Sequence, residues 1–207
     1  MKGEWNMSNI LCLYYSRSGV TRKVMQELAE ALDAEIVEIT DGLDRSGTVG
    51  YFMCGMDAMR RGTHRLKPYV TEKPLSDYDM VILGTPVWAG RCSSIMRGFL
   101  KRHGLELHRV AYLLTRASDD ANKDVFQQMD RYTAAPRMAE VSLRPDAVGY
   151  HFWRDQFLTD VRNALAAAGP VTPSDDEIID FVPTQPIKRR HRRKKREEDH
   201  AEQAEKH

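Results

Sequence analysis

Residues 10–21 constrain this chain more than any other stretch. Ile10-Leu-Cys-Leu-Tyr-Tyr15 is an apolar run of strand length, Ser16-Arg-Ser-Gly-Val-Thr21 is a hydroxyl-rich turn, and Val24, Leu28 and Leu32 then recur at helical spacing. A buried strand that passes through such a turn into a helix puts the free backbone N–H groups of the helix start beside the strand's carboxyl end. Those groups and the positive end of the helix dipole favour a bound dianion such as a phosphate. Ser16, Ser18 and Thr21 offer hydroxyl donors, and Gly19 lets the backbone turn without a Cβ in the way. The alternative is a hydroxyl-capped helix start with no ligand. Arg17 and Arg22 add charge on the first reading and are solvated surface residues on the second.

The pattern set by this stretch continues. Glu35-Ile-Val-Glu-Ile-Thr40 alternates at period two and is predicted as a second strand, and Asp41 to Gly50, rich in Gly, Asp and Ser, as a loop. Phe52, Met56 and Met59 predict a short helix ending near Gly62, its Met residues filling core or, alternatively, forming a flexible cofactor-contacting surface. Asp79-Met-Val-Ile-Leu-Gly84 is a nearly continuous apolar run, as expected of a central strand covered on both faces. It leads into Thr85-Pro-Val-Trp-Ala-Gly90 and a helix carrying Ile95, Met96, Phe99 and Leu100. Val110-Ala-Tyr-Leu-Leu-Thr115 is the fourth strand, followed by the polar turn Arg116–Asn122 and a helix with Val125, Met129 and Tyr132. Val141 and Leu143 mark a fifth strand beginning near Arg137, and the last helix carries Phe157, Val161, Leu165 and Ala168 before Gly169-Pro170 stops it.

Five strand–helix alternations with short links call for an α/β fold, a parallel sheet with helices on both faces. Ligands in such folds bind beyond the carboxyl ends of the strands, where the strand order reverses. Three turns occupy that edge: Ser16–Thr21, Thr85–Gly90 and Thr115–Asn122. In the second, Trp88 offers a flat apolar ring on which another ring can stack, or is a plain core residue. In the third, Asp119 or Asp120 is expected to cap the following helix.

Charge divides the chain. From Lys188 to His207 there are nine Lys/Arg and five Asp/Glu, which leaves 22 Lys/Arg against 25 Asp/Glu in residues 1–187. The mildly acidic body argues against a nucleic-acid-binding core, which needs clustered basic side chains. Residues 1–170 read as one domain, and 171–207 as a Pro- and charge-rich disordered tail in which only Ile178, Ile179, Phe181 and Val182 are able to dock back. The basic run Lys188–Arg196 is a solvated tail or a contact for an anionic partner. Met1 to Ser8 lacks the apolar region of a signal peptide, so the expected location is the cytoplasm. Cys12, Cys54 and Cys92 show neither a disulfide framework nor metal-ligand spacing. Cys92, at an expected helix start, is a small buried residue or a thiol activated by the helix dipole. His64, His103 and His108 stand without partners at ligand spacing, and no Ser-His-Asp or paired-carboxylate pattern supports hydrolysis.

Tyr14-Tyr-Ser-Arg-Ser-Gly-Val-Thr21 resembles the phosphate loop of flavodoxin-like proteins, Thr/Ser-x-Thr/Ser-Gly-x-Thr, and Gly84-Thr-Pro-Val-Trp-Ala-Gly90 resembles their second flavin loop. Asp44-Arg-Ser-Gly47 and Gly50-Tyr-Phe-Met-Cys-Gly-Met-Asp57 are similar to a bacterial branch of flavodoxin-domain proteins, and the resemblance covers about residues 9 to 168. It implies a flavodoxin-like three-layer sandwich whose five-stranded parallel sheet has the order 2-1-3-4-5. It also implies flavin mononucleotide (FMN), bound non-covalently. The cofactor-binding residues implied are Ser16, Arg17, Ser18, Gly19, Val20 and Thr21, then Thr85, Pro86, Val87, Trp88, Ala89 and Gly90, then Thr115, Arg116, Ala117 and Ser118. The third loop departs from the family's Gly-rich turn, so loss of flavin is the competing outcome. The implied activity is electron transfer, or reduction linked to NAD(P)H or a quinone, with a redox partner and a homodimer as the expected associations. A flavin-free scaffold acting through the basic tail and a porphyrin-type oxidase are the two alternatives.

Overall fold

The computed structural model describes residues 9–169 and Val171. The expectations for the tail, including its disorder, its basic run and the docking of Ile178, Ile179, Phe181 and Val182, fall outside them. Strands and helices alternate in chain order as β1 (Ile10–Tyr14), α1 (Val20–Leu32), β2 (Glu35–Glu38), α2 (Gly47–Met59), β3 (Met80–Trp88), β4 (Arg91–Cys92), α3 (Ser94–His103), β5 (Val110–Thr115), α4 (Lys123–Asp130), β6 (Ala139–Leu143) and α5 (Tyr150–Ala168). Five strands pair in parallel in the order β2-β1-β3-β5-β6, and β4 adds a short antiparallel pairing to β3. In sequential numbering of the parallel strands this is the expected order 2-1-3-4-5, with its reversal at β1/β3.

Alternation along the inner strands builds the three layers. In β1, Leu11 and Leu13 point into the cluster shared with α3 and α4, while Ile10, Cys12 and Tyr14 point into the cluster shared with α1 and α5. Both faces of β1, β3 and β5 are therefore covered, which is why their sequences are continuously apolar. Helix α1 buries Val24, Met25, Leu28 and Leu32 on one stripe, as the spacing predicts. Gly84 lets α1 settle on the sheet, since a Cβ there would stand 2.5 Å from the Met25 sulfur.

Two local expectations are corrected. The stretch read as a loop to Gly50 turns helical at Gly47, because Gly50 lacks the Cβ that would meet the Arg45 backbone at 2.1 Å. The Met residues of α2 do not fill the core: the helix packs through Gly50, Cys54 and Ala58 and leaves Met53, Met56 and Met59 exposed. Among the described residues no helix is long and apolar enough to cross a membrane.

Candidate functional site

At the carboxyl edge of the sheet, the turn after β1 is closed by the Ser16 hydroxyl, which accepts from the Gly19 N–H at 3.1 Å. Gly19 takes φ +86°, a left-handed conformation that would strain any side chain. From this cap α1 starts with the amides of Val20, Thr21 and Arg22 facing outward, without intrahelical acceptors. Thr21 is buried, and its hydroxyl meets the Thr115 hydroxyl at 2.7 Å, tying the first turn to the end of β5. Replacing Thr21 or Thr115 alone by valine is expected to cost about 1–3 kcal/mol, because the surviving hydroxyl is buried without its partner. The double replacement should cost at least about 1 kcal/mol less than the sum. Urea denaturation of the three variants checks this; strict additivity contradicts the bond.

The two arginines of this turn divide. Arg22 reaches Glu38 with its Nε at 3.1 Å and an Nη at 2.8 Å and is committed to that carboxylate. Arg17 donates to the Arg45 carbonyl at 3.3 Å and holds its guanidinium 5.6 Å from the centre of the Tyr51 ring.

Thr85 to Gly90 is not a loop. β3 runs on through Trp88 and reverses across Ala89 (φ 45°) and Gly90 (φ 69°), so that Val87 pairs with Cys92 and Trp88 with Arg91. Two consecutive residues at positive φ make the turn whose twist suits a tight hairpin. Thr85 anchors its base: its hydroxyl donates to the Ser93 hydroxyl at 3.0 Å and accepts from the Ser93 N–H at 3.1 Å. Gln128 holds the tip by donating to the Gly90 carbonyl at 3.2 Å. Trp88 packs edge-on against Tyr15, with ring centres 5.6 Å apart, and still presents part of its surface to the edge of the sheet.

After β5, the Arg116 N–H donates to the Leu143 carbonyl at 2.9 Å, its Nε donates to the Ser142 hydroxyl at 3.2 Å, and an Nη donates to the Ser118 carbonyl. Neither aspartate caps α4 as expected. Asp120 accepts from the Asn122 N–H at 2.9 Å in a turn before the helix, Asp119 pairs with Arg144, and the N-cap Asn122 makes no side-chain cap bond.

These turns enclose one open cleft. Arg17, Ser18, Val20 and Thr21 form one wall, Pro86, Val87 and Trp88 another, and Thr115, Arg116 and Ala117 a third. Ser16, Gly19, Thr85, Ala89, Gly90 and Ser118, also expected at the site, are not among the residues that line it. The cleft also takes Tyr51 from α2 and Pro145 and Asp146 from the turn after β6, none of which the sequence reading includes. The fifth parallel strand ends at the same edge, so its turn carried a usable signal.

A flavodoxin family model matches residues 9–135, more than half of the chain. The chain belongs to the flavodoxin family. Among solved structures it is similar to a Lactobacillus acidophilus flavoprotein in complex with FMN (19% identity, 70% of this chain and 98% of that one covered, TM-score 0.54). It is also similar to a candidate flavoprotein from Bacteroides eggerthii (20% identity, 72% and 98% covered, TM-score 0.58). At these identities the likeness is one of fold.

Elsewhere this flavodoxin-family chain keeps its reactive groups quiet. Burial pushes the Cys12 thiol up to about 12 and raises Cys92 as well, so dipole activation of Cys92 gives way to the reading as a small buried residue. Among the described residues no group of three or more His, Cys, Asp or Glu could hold a metal ion. His64 and His103 do have partners. His103 Nδ1 lies 2.9 Å from Glu106, while His64 stands between Asp41 (3.2 Å) and Asp57 (2.8 Å). Asp41 in turn takes both Nη atoms of the buried Arg45 at 2.6 Å, locking the segment whose carbonyl holds Arg17.

Proposed function

We propose that this chain binds FMN non-covalently in the cleft and serves as an electron-transfer flavoprotein or as a small flavin reductase linked to NAD(P)H or a quinone. The observation that carries this reading is that the start of α1 and the Trp88 hairpin open into the same cleft. One end offers outward amides, Ser18 and Arg17 to a phosphate; the other offers Pro86 and Trp88 to a flat ring. A flavodoxin relative in complex with FMN supports the choice among phosphate-bearing cofactors.

The side chains present fit the group. Gly19 leaves the phosphate approach open, since not even an added Cβ there would touch a neighbour. The non-glycine third loop does not block the ring end, because Arg116 is drawn back onto Ser142 and the Ser118 carbonyl. Bound there, FMN supplies one- or two-electron chemistry. The protein contributes position and field: the α1 amides and Arg17 neutralise phosphate charge, Trp88 and Pro86 exclude water from one face, and Arg116 sets a fixed cation in the cleft. Only Asp146 opposes that cation from among the side chains lining the cleft. A cleft of this sign favours negative charge arriving on the ring. The mildly acidic body, short of a strongly charged docking surface, favours the reductase role.

The test is spectroscopic. Full-length protein mixed with FMN and freed of excess by gel filtration should retain visible flavin absorption at about one flavin per chain, and anaerobic titration with a reductant should bleach it. A colourless product, with tryptophan fluorescence unmoved by added FMN, overturns the proposal.

A further inference from the structure

Helix α2 carries a feature that flavin binding leaves unused. Its packed side is a stripe of small residues, Gly50, Cys54 and Ala58, at intervals of four. On the opposite side lie Val49, Phe52, Met53, Met56 and Met59, with fractional exposures from 43 to 74%. At about 100° per residue these five fall within an arc of about 120°, centred across the helix from the packed stripe. Val49 and Met56 are seven residues apart, as are Phe52 and Met59. The intervals between the two sets are three and four, the a/d spacing of a seam made for another helix.

The charge pattern narrows the partner. Asp57 is the only Asp, Glu, Lys, Arg or His in α2, and its carboxylate faces His64 and Arg45 at the side of the seam. A neutral apolar seam gives a charged partner nothing to recognise. It is self-complementary about a two-fold axis, where any charge would meet its own copy. The five side chains expose roughly 550 Å², most of the about 800 Å² per partner of a standard-size interface.

We infer that the seam on α2 is a homodimer interface, occupied by α2 of a second copy packed antiparallel about a two-fold axis. This stands independently of the flavin reading. The two meet only at Tyr51, which projects from the same helix into the cleft. Dimerisation therefore fixes one wall of the cleft and should tighten whatever binds there.

The experiment is sedimentation of the full chain across a concentration series, without added FMN, for wild type and for Met56→Glu and Met56→Lys. The wild type should sediment as a pair of 23.7 kDa chains. Each variant should be monomeric, with dissociation at least about 100-fold easier, since like charges facing each other across the axis cost several kcal/mol. Met56 is exposed, so both variants should keep the wild-type far-UV circular dichroism spectrum and a cooperative melt, which shows that they fold, while their melting temperature falls by the stabilisation that association gave the wild type. Mixing the two should restore a dimer, because Glu then meets Lys. A monomeric wild type, a dimer indifferent to both charges, or a mixture that stays monomeric overturns the inference. None of these outcomes depends on whether the protein takes up flavin.

Discussion

Replacing Asp41 with alanine is expected to destabilise the protein by about 3–5 kcal/mol, the usual consequence of stranding one member of a buried ion pair. The Arg45 side chain is 1% exposed and the Asp41 side chain 3%, with both Nη atoms of Arg45 at 2.6 Å from the carboxylate. Arg45 Nε already lacks a partner, so removal of Asp41 leaves the guanidinium only the more distant Asp57, at 3.6 Å. The same carboxylate accepts from the Leu43 N–H at 3.2 Å and faces His64, so the loop before α2 loses its hub. The pair also carries a pH signature. Burial by itself would raise the Asp41 carboxyl, but the Arg45 guanidinium and the Leu43 N–H outweigh it and hold the group below its ordinary value. A carboxyl lowered on folding contributes stability that is complete above its unfolded value, about 3.9, and is lost as pH falls through the lower folded value. Urea denaturation as a function of pH should show this loss in the wild type and a flatter acid limb in Asp41→Ala. Equal acid limbs would remove Asp41 from the account.

Trp88→Ala should cost a similar amount, about 3–5 kcal/mol, through the cavity left when a buried aromatic is cut back. Trp88 belongs to the cluster of Tyr15, Cys92 and Ile95, and its edge-on contact with Tyr15 joins the hairpin to the end of β1. Loss of the ring therefore loosens the hairpin and removes an apolar wall of the cleft together. FMN affinity should fall by about two- to twelvefold, in line with the 0.5–1.5 kcal/mol that an aromatic contact adds beyond its area. Fluorescence of the flavin during titration measures this in a variant that no longer carries Trp88, and circular dichroism confirms that it is folded. Unchanged affinity would place the ring elsewhere.

The β1–α1 unit is legible in the sequence because two signals agree: a continuous apolar run is followed by a helical repeat, with Gly19 between them. Alternation makes the sheet parallel and handedness leaves few ways to connect its five strands, while the order 2-1-3-4-5 is legible only through the likeness of Ser16–Thr21 and Thr85–Gly90 to flavodoxin loops. The Trp88 hairpin is not legible in that way. β4 is two residues long, too short to alternate, and Pro86 reads as a loop residue although it pairs with Thr115 inside the ladder. The exposed face of α2 escapes for a different reason. Periodicity finds an apolar stripe at Phe52, Met56 and Met59 but does not say whether that stripe or the small-residue stripe Gly50, Cys54 and Ala58 meets the body. The partners of His64 are tertiary, since Asp41 and Asp57 come from the loop before α2 and from α2 itself, and no local spacing announces them.

The central claim is that the amides at the start of α1 hold the phosphate of FMN while the Trp88 hairpin supports its ring. The most direct measurement compares FMN with riboflavin, which keeps the ring and lacks the phosphate, by quenching of tryptophan fluorescence in the full-length protein. A phosphate held by several charge-assisted hydrogen bonds, each worth about 1.5–3 kcal/mol, predicts FMN bound at least about 100-fold more tightly than riboflavin. Equal affinities, or no binding of either, would contradict it.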